Sequence, residues 1–320
     1  MKIVIAIQLN ENRTYTKTDN WERAKWLHFS NPSPEEIYFL KKEHEIPSDF
    51  IIDVLDRYEV PRQELYQNEK GEKFHLLIVL YSKVKKQLEN YREYQTLPLA
   101  IIVSDNQIFT ISSETPLFLK DIYENKSKLH SNILRGNHIV LDILWELTHS
   151  FILDIAEIDH TREEMEKNIV STTKNEAFYQ LIAIHKNLVY FNTGISKNHI
   201  IIRSLIESDI YSDDVNGKSL LHDIKILSNQ AEVMVHEANQ MIDQLSEVFS
   251  SVIANNLNNI MKFLTSLTIV LTIPTIIGAF WGMNVGLPID RSPFAFIILV
   301  IISILLSIGT IYWLKKKDYL

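Results

Sequence analysis

The chain has 320 residues, a formal net charge of −8 and no cysteine. That length fits one large domain or two modest ones, and the missing thiols exclude a disulfide framework and any thiolate metal site. With five basic and two acidic residues at 259–320 set aside, residues 1–258 carry 27 basic against 38 acidic side chains, a net of −11. Such a body argues against a nucleic-acid partner and favours cations.

Residues 1–135 read as mixed α/β. "MKIVIAIQLN" is too short an apolar run for a signal-sequence core and reads as a first β-strand. "KFHLLIVLYS", "LAIIVS" and "QIFTISS" are further strand-like runs, rich in Ile and Val. Between them, "NPSPEEIYFLKKEHEIP" opens as a helix should, with Ser33 as N-cap, Pro34 next and Glu36 at the third position. "SDFIIDVLDRYEVP" predicts a second short helix closed by Pro61. "SDNQ" at 104–107 predicts a hairpin turn, and "SSETP" at 112–116 a loop.

From about His138 the strand signals stop. Two long helices follow, "NHIVLDILWELTHSFILDIAEIDHTREEMEKNIV" and "NEAFYQLIAIHKNLVYFNTGISKNHIIIRSLIES". The polar loop "DIYSDDVNGKS" then leads to a third. No glycine or proline occurs from Lys218 to Ile273, so this helix can run unbroken from Ser219 to Trp281. At 1.5 Å per residue it would reach about 95 Å, too long for the interior of one globular domain. "SDDVNGKSLLHD" grazes a calcium-loop pattern, but Ser212 at its first position and Asp223 at its last favour a solvated inter-helix loop. His222 and His236 read as ordinary residues of this long helix. The eleven histidines show no zinc-protease spacing, and there is no phosphate loop or nucleophile motif, so no enzymatic activity is expected.

Phe263–Trp281 and Phe294–Leu314 contain no charged residue, and each is long enough to span a bilayer. Lys262 precedes the first run, and Lys315, Lys316 and Lys317 follow the second. Lysine-rich flanks stay cytoplasmic, which puts both termini inside and the connecting loop outside a cell membrane. Phe280 and Trp281 mark the outer boundary, Tyr312 and Trp313 the inner one. "RSPF" predicts the start of the second span, with Ser292 as N-cap and Pro293 at the first helical position.

Along the first span, Asn258, Met261, Thr265, Thr268, Thr272 and Thr275 recur at alternating steps of three and four. That is the seam period of packed parallel helices. Single threonines commonly bond back to their own helix, but a register of four below an asparagine predicts a face turned to other helices or to water. One chain offers one such helix, so a pore needs several chains, and a homo-oligomer is expected. Pro274 is a site for a bend near the outer end.

Gly282, Met283 and Asn284 follow this span directly. A long cytoplasmic helix, a span, Gly-Met-Asn, a short external loop, a second span and a lysine-rich tail together resemble the CorA-type magnesium transporter family. The likeness covers the whole chain in architecture and is most specific over 219–320. An aromatic residue, most often tyrosine, precedes Gly-Met-Asn in that family; here it is Trp281. The family's acidic external loop is reduced here to Asp290.

The resemblance implies a homopentameric channel in the lipid bilayer. Its fold is an α+β cytoplasmic funnel domain plus a long helical stalk and two C-terminal transmembrane helices. The expected boundaries are 1–135 for the α/β domain, 136–258 for the stalk, and 259–281 for the pore-lining span. The external loop is then 282–293, the second span 294–314 and the basic tail 315–320. Carried over, Gly282, Met283 and Asn284 form the ion entrance, and Asn258, Met261, Leu264, Thr272 and Thr275 line the pore, with Thr265 and Thr268 in the same register. Met261 and Leu264 make the gate. Asp223 becomes a regulatory carboxylate that senses cytoplasmic Mg2+, with Glu89 or Glu93 of a neighbouring subunit as its partner. The implied cargo is Mg2+, with Co2+ and Ni2+ as further divalent cations. A ZntB-type zinc transporter shares the architecture and the motif. A two-span signalling or scaffold protein is the more distant alternative, and it leaves the threonine register unexplained.

Overall fold

The structure, a computed structural model, describes residues 4–9, 14–88, 91–126, 139–168, 175–208, 215–283, 293–317 and 319. Two compact units divide the chain, residues 1–244 and 245–320.

The first unit is built on a seven-stranded sheet in the order β2-β1-β3-β7-β6-β5-β4. Its strands are β1 (Val4–Leu9), β2 (Tyr15–Lys17), β3 (Trp26–Ser30), β4 (Arg62–Gln67), β5 (Lys73–Gln87), β6 (Arg92–Val103) and β7 (Ile108–Ser112). All neighbouring pairs are antiparallel except β3 with β7. The apolar runs of β5 and β6 are buried continuously, because helices cover both faces of the sheet. On one face Leu40 of α1 (Pro34–Glu43) and Phe50 and Ile51 of α2 (Ser48–Ile52) pack with Leu76, Ile78, Ala100 and Ile102. On the other lie α4 (Ile139–Asn168) and α5 (Asn175–Ser208), in contact with β5 and β6, while α3 (Leu117–Tyr123) packs on α4.

Sequence signals account for much of this. Ser33 accepts from the Glu36 N–H, and the Glu36 carboxylate accepts from the Ser33 N–H, a complete capping box ahead of Pro34. Ser104 N–H donates to the Gln107 carbonyl at 2.9 Å and closes the β6–β7 hairpin. The helix expected to end at Pro61 is shorter: α2 stops at Ile52 and a 3-10 turn ends at Leu55. Strands β2, β3 and β4 and helix α3 carry signals too weak to read. β4 is a polar edge strand, and β3 is five residues interrupted by the buried His28.

Two asparagines of α5 dock the helix onto strand edges that have lost their neighbour. β4 pairs with β5 only as far as Ile78, and beyond it Asn198 accepts from the Leu80 N–H (2.9 Å) and donates to the Leu80 carbonyl (2.7 Å). β7 pairs with β6 only from Leu99 onward, and Asn187 accepts from the Tyr94 N–H (2.8 Å) and donates to the Arg92 carbonyl (2.7 Å). Each carboxamide satisfies a donor and an acceptor that burial would otherwise strand.

Beside Asn187, α4 presses two carboxylates against the β5–β6 ribbon. Ser82 donates to Asp154, Arg92 pairs with Glu157, and the Tyr94 hydroxyl donates to Glu157 at 3.2 Å. Burial, with the Glu157 charge adding to it, pushes the Asp154 carboxyl up to about 6. A carboxyl raised in the folded state favours folding most when protonated, so its contribution is lost as pH rises through about 6. Asp154→Asn is therefore expected to flatten the stability–pH curve between pH ~4 and ~6, by about 1–2 kcal/mol after screening at this half-buried site. Thermal unfolding across that range checks it; an unchanged slope would assign the pH dependence elsewhere.

The second unit holds the C-terminal part of α6 (Val215–Trp281) and α7 (Ala295–Lys316). α6 is one helix of 67 residues and continues through Pro274. It begins four residues before the expected Ser219, because Asn216 and Gly217, which read as a turn, lie in its first turn. Helical backbone from Val215 also removes any calcium-loop geometry there. α7 starts at Ala295 with Phe294 as N-cap, so Pro293 precedes the cap instead of opening the helix; Ser292 lies outside the described residues.

Candidate ion-conduction site

α6 and α7 are both long and apolar enough to cross a membrane. α7 is apolar on every side, as a helix facing lipid or other apolar helices should be. α6 is not. Asn258, Met261, Thr265, Thr268, Thr272 and Thr275 are all exposed, and at 100° per residue they fall within an arc of about 100°. The covered positions of the span, Ser266, Val270, Ile273, Ile277 and Trp281, lie on the opposite side. The polar register therefore lies on the side of α6 opposite its covered positions. Leu264, also exposed, borders it.

Three of the four threonine hydroxyls on this face are already committed as donors. Thr268 donates to the Leu264 carbonyl at 2.9 Å, Thr272 to Thr268 at 2.7 Å and Thr275 to Leu271 at 3.0 Å. Back-bonding and a lining role do not compete here. Each hydroxyl spends its proton on the helix and turns its remaining lone pairs outward as an acceptor. Acceptors are what the hydration water of a cation requires.

Past Trp281, Gly282 N–H donates to the Gly278 carbonyl at 3.0 Å and Met283 N–H to Phe280 at 3.3 Å, ending α6. A Cβ on Gly282 would lie 3.4 Å from the Gly278 carbonyl oxygen, an ordinary contact, and its backbone is not left-handed. The chain's own geometry thus does not demand glycine here. Asn284 lies outside the described residues, as does Glu89.

Asp223 is exposed on α6, more than two turns from its start at Val215. Among the described residues no Lys, Arg or His forms an ion pair with it, and none group as three or more metal-ligating side chains. Glu93 pairs in register with Lys86 across β5–β6. Lys315 and Lys316 form the last turn of α7, Lys317 is its C-cap, and all three are exposed. His236 takes a Gln240 partner one turn along α6 at 3.1 Å. The docking asparagines Asn187 and Asn198, the Asp154 cluster and the Ser266–Tyr319 contact described below had no readable signal, since each joins segments at least 53 residues apart.

The family model described as CorA-like Mg2+ transporter protein matches residues 21–316. The cobalt/magnesium transport protein CorA of Methanocaldococcus jannaschii is 22% identical over 306 residues, 93% of this chain and 92% of that protein. The complete structure of the CorA magnesium transporter from the same organism superposes with a TM-score of 0.80 at 22% identity, covering 100% of this chain and 99% of that one. The ZntB cytoplasmic domain from Vibrio parahaemolyticus superposes with a TM-score of 0.58 at 14% identity, covering 80% of this chain and 98% of that one.

Proposed function

The chain belongs to the CorA-like Mg2+ transporter family, a family of transporters rather than enzymes, and we propose that it carries divalent cations, Mg2+ first, through a homopentameric pore lined by α6. The observation that carries this reading is the exposed polar face of a membrane-length helix, opposite that helix's covered positions. Left to lipid, four hydroxyls and a carboxamide would be costly; turned to the same face of other copies, they enclose a polar path. Gly282, Met283 and Asn284 form the external entrance, Met261 and Leu264 the gate, and Asn258, Thr265, Thr268, Thr272 and Thr275 the lining. Both termini are cytoplasmic, and Lys315, Lys316 and Lys317 anchor the inner boundary of the cell membrane.

Mg2+ releases water reluctantly, so a fast path should read the hydrated ion through neutral acceptors. Closure follows from narrowing at the apolar Met261 and Leu264 side chains until water leaves. No chemical energy is needed, because two charges falling through 100 mV gain roughly 4.6 kcal/mol. Cytoplasmic Mg2+ bound by Asp223 at subunit contacts would hold the closed state. The likeness to a ZntB cytoplasmic domain keeps zinc as the second reading, and a flux comparison of Mg2+ with Zn2+ decides between them.

Assembly is tested first. Mass measurement of the detergent-solubilised protein is expected to give about five times the mass of one chain; a monomer or dimer that still conducts would sink the pore.

A further inference from the structure

We infer that Tyr319 is a positioning residue for the gate: the C-terminal tail folds back from the end of α7 and holds α6 beside Met261 and Leu264. The role in gating rests on the pore reading above; the contact does not.

The Leu314 carbonyl accepts from the Lys317 N–H and from the Tyr319 N–H, both at 3.1 Å. The second bond is the six-to-one closure that turns a chain back at a helix C-terminus. It carries Tyr319 onto α6, where the Ser266 hydroxyl donates to the Tyr319 carbonyl at 3.1 Å. The Lys262 ammonium stands 5.7 Å from the centre of the Tyr319 ring, within cation–π range.

Ser266 differs from the other hydroxyls of the span. Thr268, Thr272 and Thr275 donate to carbonyls of their own helix, whereas Ser266 sends its proton to another segment. It is fully buried, as is Leu314 at the turn, although Thr265 and Leu267 on either side of it are exposed. At the edge of an apolar layer a backbone carbonyl needs a donor, and Ser266 supplies it.

Lys262 and Ser266 flank Leu264 in sequence; Ser266 lies on the covered side of α6, and Lys262, one turn after Asn258, borders the polar face. Any movement of α6 that widens the pore at Leu264 must either break the tail contact or carry α7 with it. Loss of the contact frees α6 and makes opening easier.

The chain's lack of cysteine permits a direct test. Full-length protein carrying Ser266→Cys and Tyr319→Cys together is oxidised in detergent and probed with a polymer-tagged maleimide. The expected result is protection of both thiols by a bond within one chain, with each single variant still tagged. A pair that stays reactive, or bonds only between chains, overturns the proposal. Crosslinking needs no transport, so closure of the pair in a protein that carries no cation would support the contact and overturn the pore reading alone. In proteoliposomes, Tyr319→Ala and Ser266→Ala are expected to raise the internal Mg2+ needed for half-inhibition roughly threefold. Tyr319→Phe, which keeps the ring, should restore it; unshifted alanine variants overturn the positioning role.

Discussion

Asn284→Ala is expected to abolish Mg2+ uptake while leaving assembly and membrane insertion intact. A carboxamide oxygen accepts hydrogen bonds from water held by the ion, and it does so without the negative charge that would trap a dication. If each of five copies loses one such bond, at about 1 kcal/mol apiece, entry falls by roughly three to four orders of magnitude. Asn284→Asp keeps the acceptors and adds charge, so it should bind Mg2+ more tightly and pass it more slowly. Uptake by the alanine variant at the unmodified rate, in protein of unchanged oligomeric mass, would remove Asn284 from the entrance. Gly282 bears on the same region. Its own backbone tolerates a Cβ, so a bulky residue there should disturb assembly of the entrance rather than the fold of one chain.

Asp223→Ala is expected to raise the internal Mg2+ required to shut off current by about tenfold, within the range of measured allosteric couplings. A helix-dipole role would confine the carboxylate to the first turn of α6. The helix begins at Val215, which puts Asp223 well beyond that turn. It is exposed, and among the described residues no basic side chain pairs with it. A ligand shifts a gate only by binding one state better. Carboxylates shared between subunits meet that condition, since opening would draw them apart. Asp223→Lys places a fixed positive charge where the ion would sit, and should mimic the Mg2+-bound state by holding the pore closed at low internal Mg2+. Currents in Asp223→Ala with an unshifted Mg2+ midpoint would leave it an ordinary solvated aspartate.

What was legible in the sequence was local or periodic. The Ser33–Glu36 capping box needs three residues of context, and the continuity of α6 needs only the absence of Gly and Pro from 218 to 273. The polar face of α6 was legible because its period matches the helix. Boundaries were harder. Asn216 and Gly217 look like a turn but sit in the first turn of α6, where unsatisfied N–H groups make Gly tolerable. Pro293 looks like a first helical residue, yet Phe294 caps α7. Edge strand β4 escaped because half its residues face water and its pairing with β5 is set by tertiary contact. Contacts such as Asn198 with Leu80, or Ser266 with Tyr319, depend on chain reversals that no local window encodes.

The most direct test of cation conduction is a flux measurement on purified protein in vesicles holding a defined potassium-diffusion potential. With the interior negative, external Mg2+ should enter, entry should slow as internal Mg2+ rises, and Zn2+ offered at the same concentration should enter more slowly. Zn2+ entering faster than Mg2+, with no inhibition by internal Mg2+, would contradict the account.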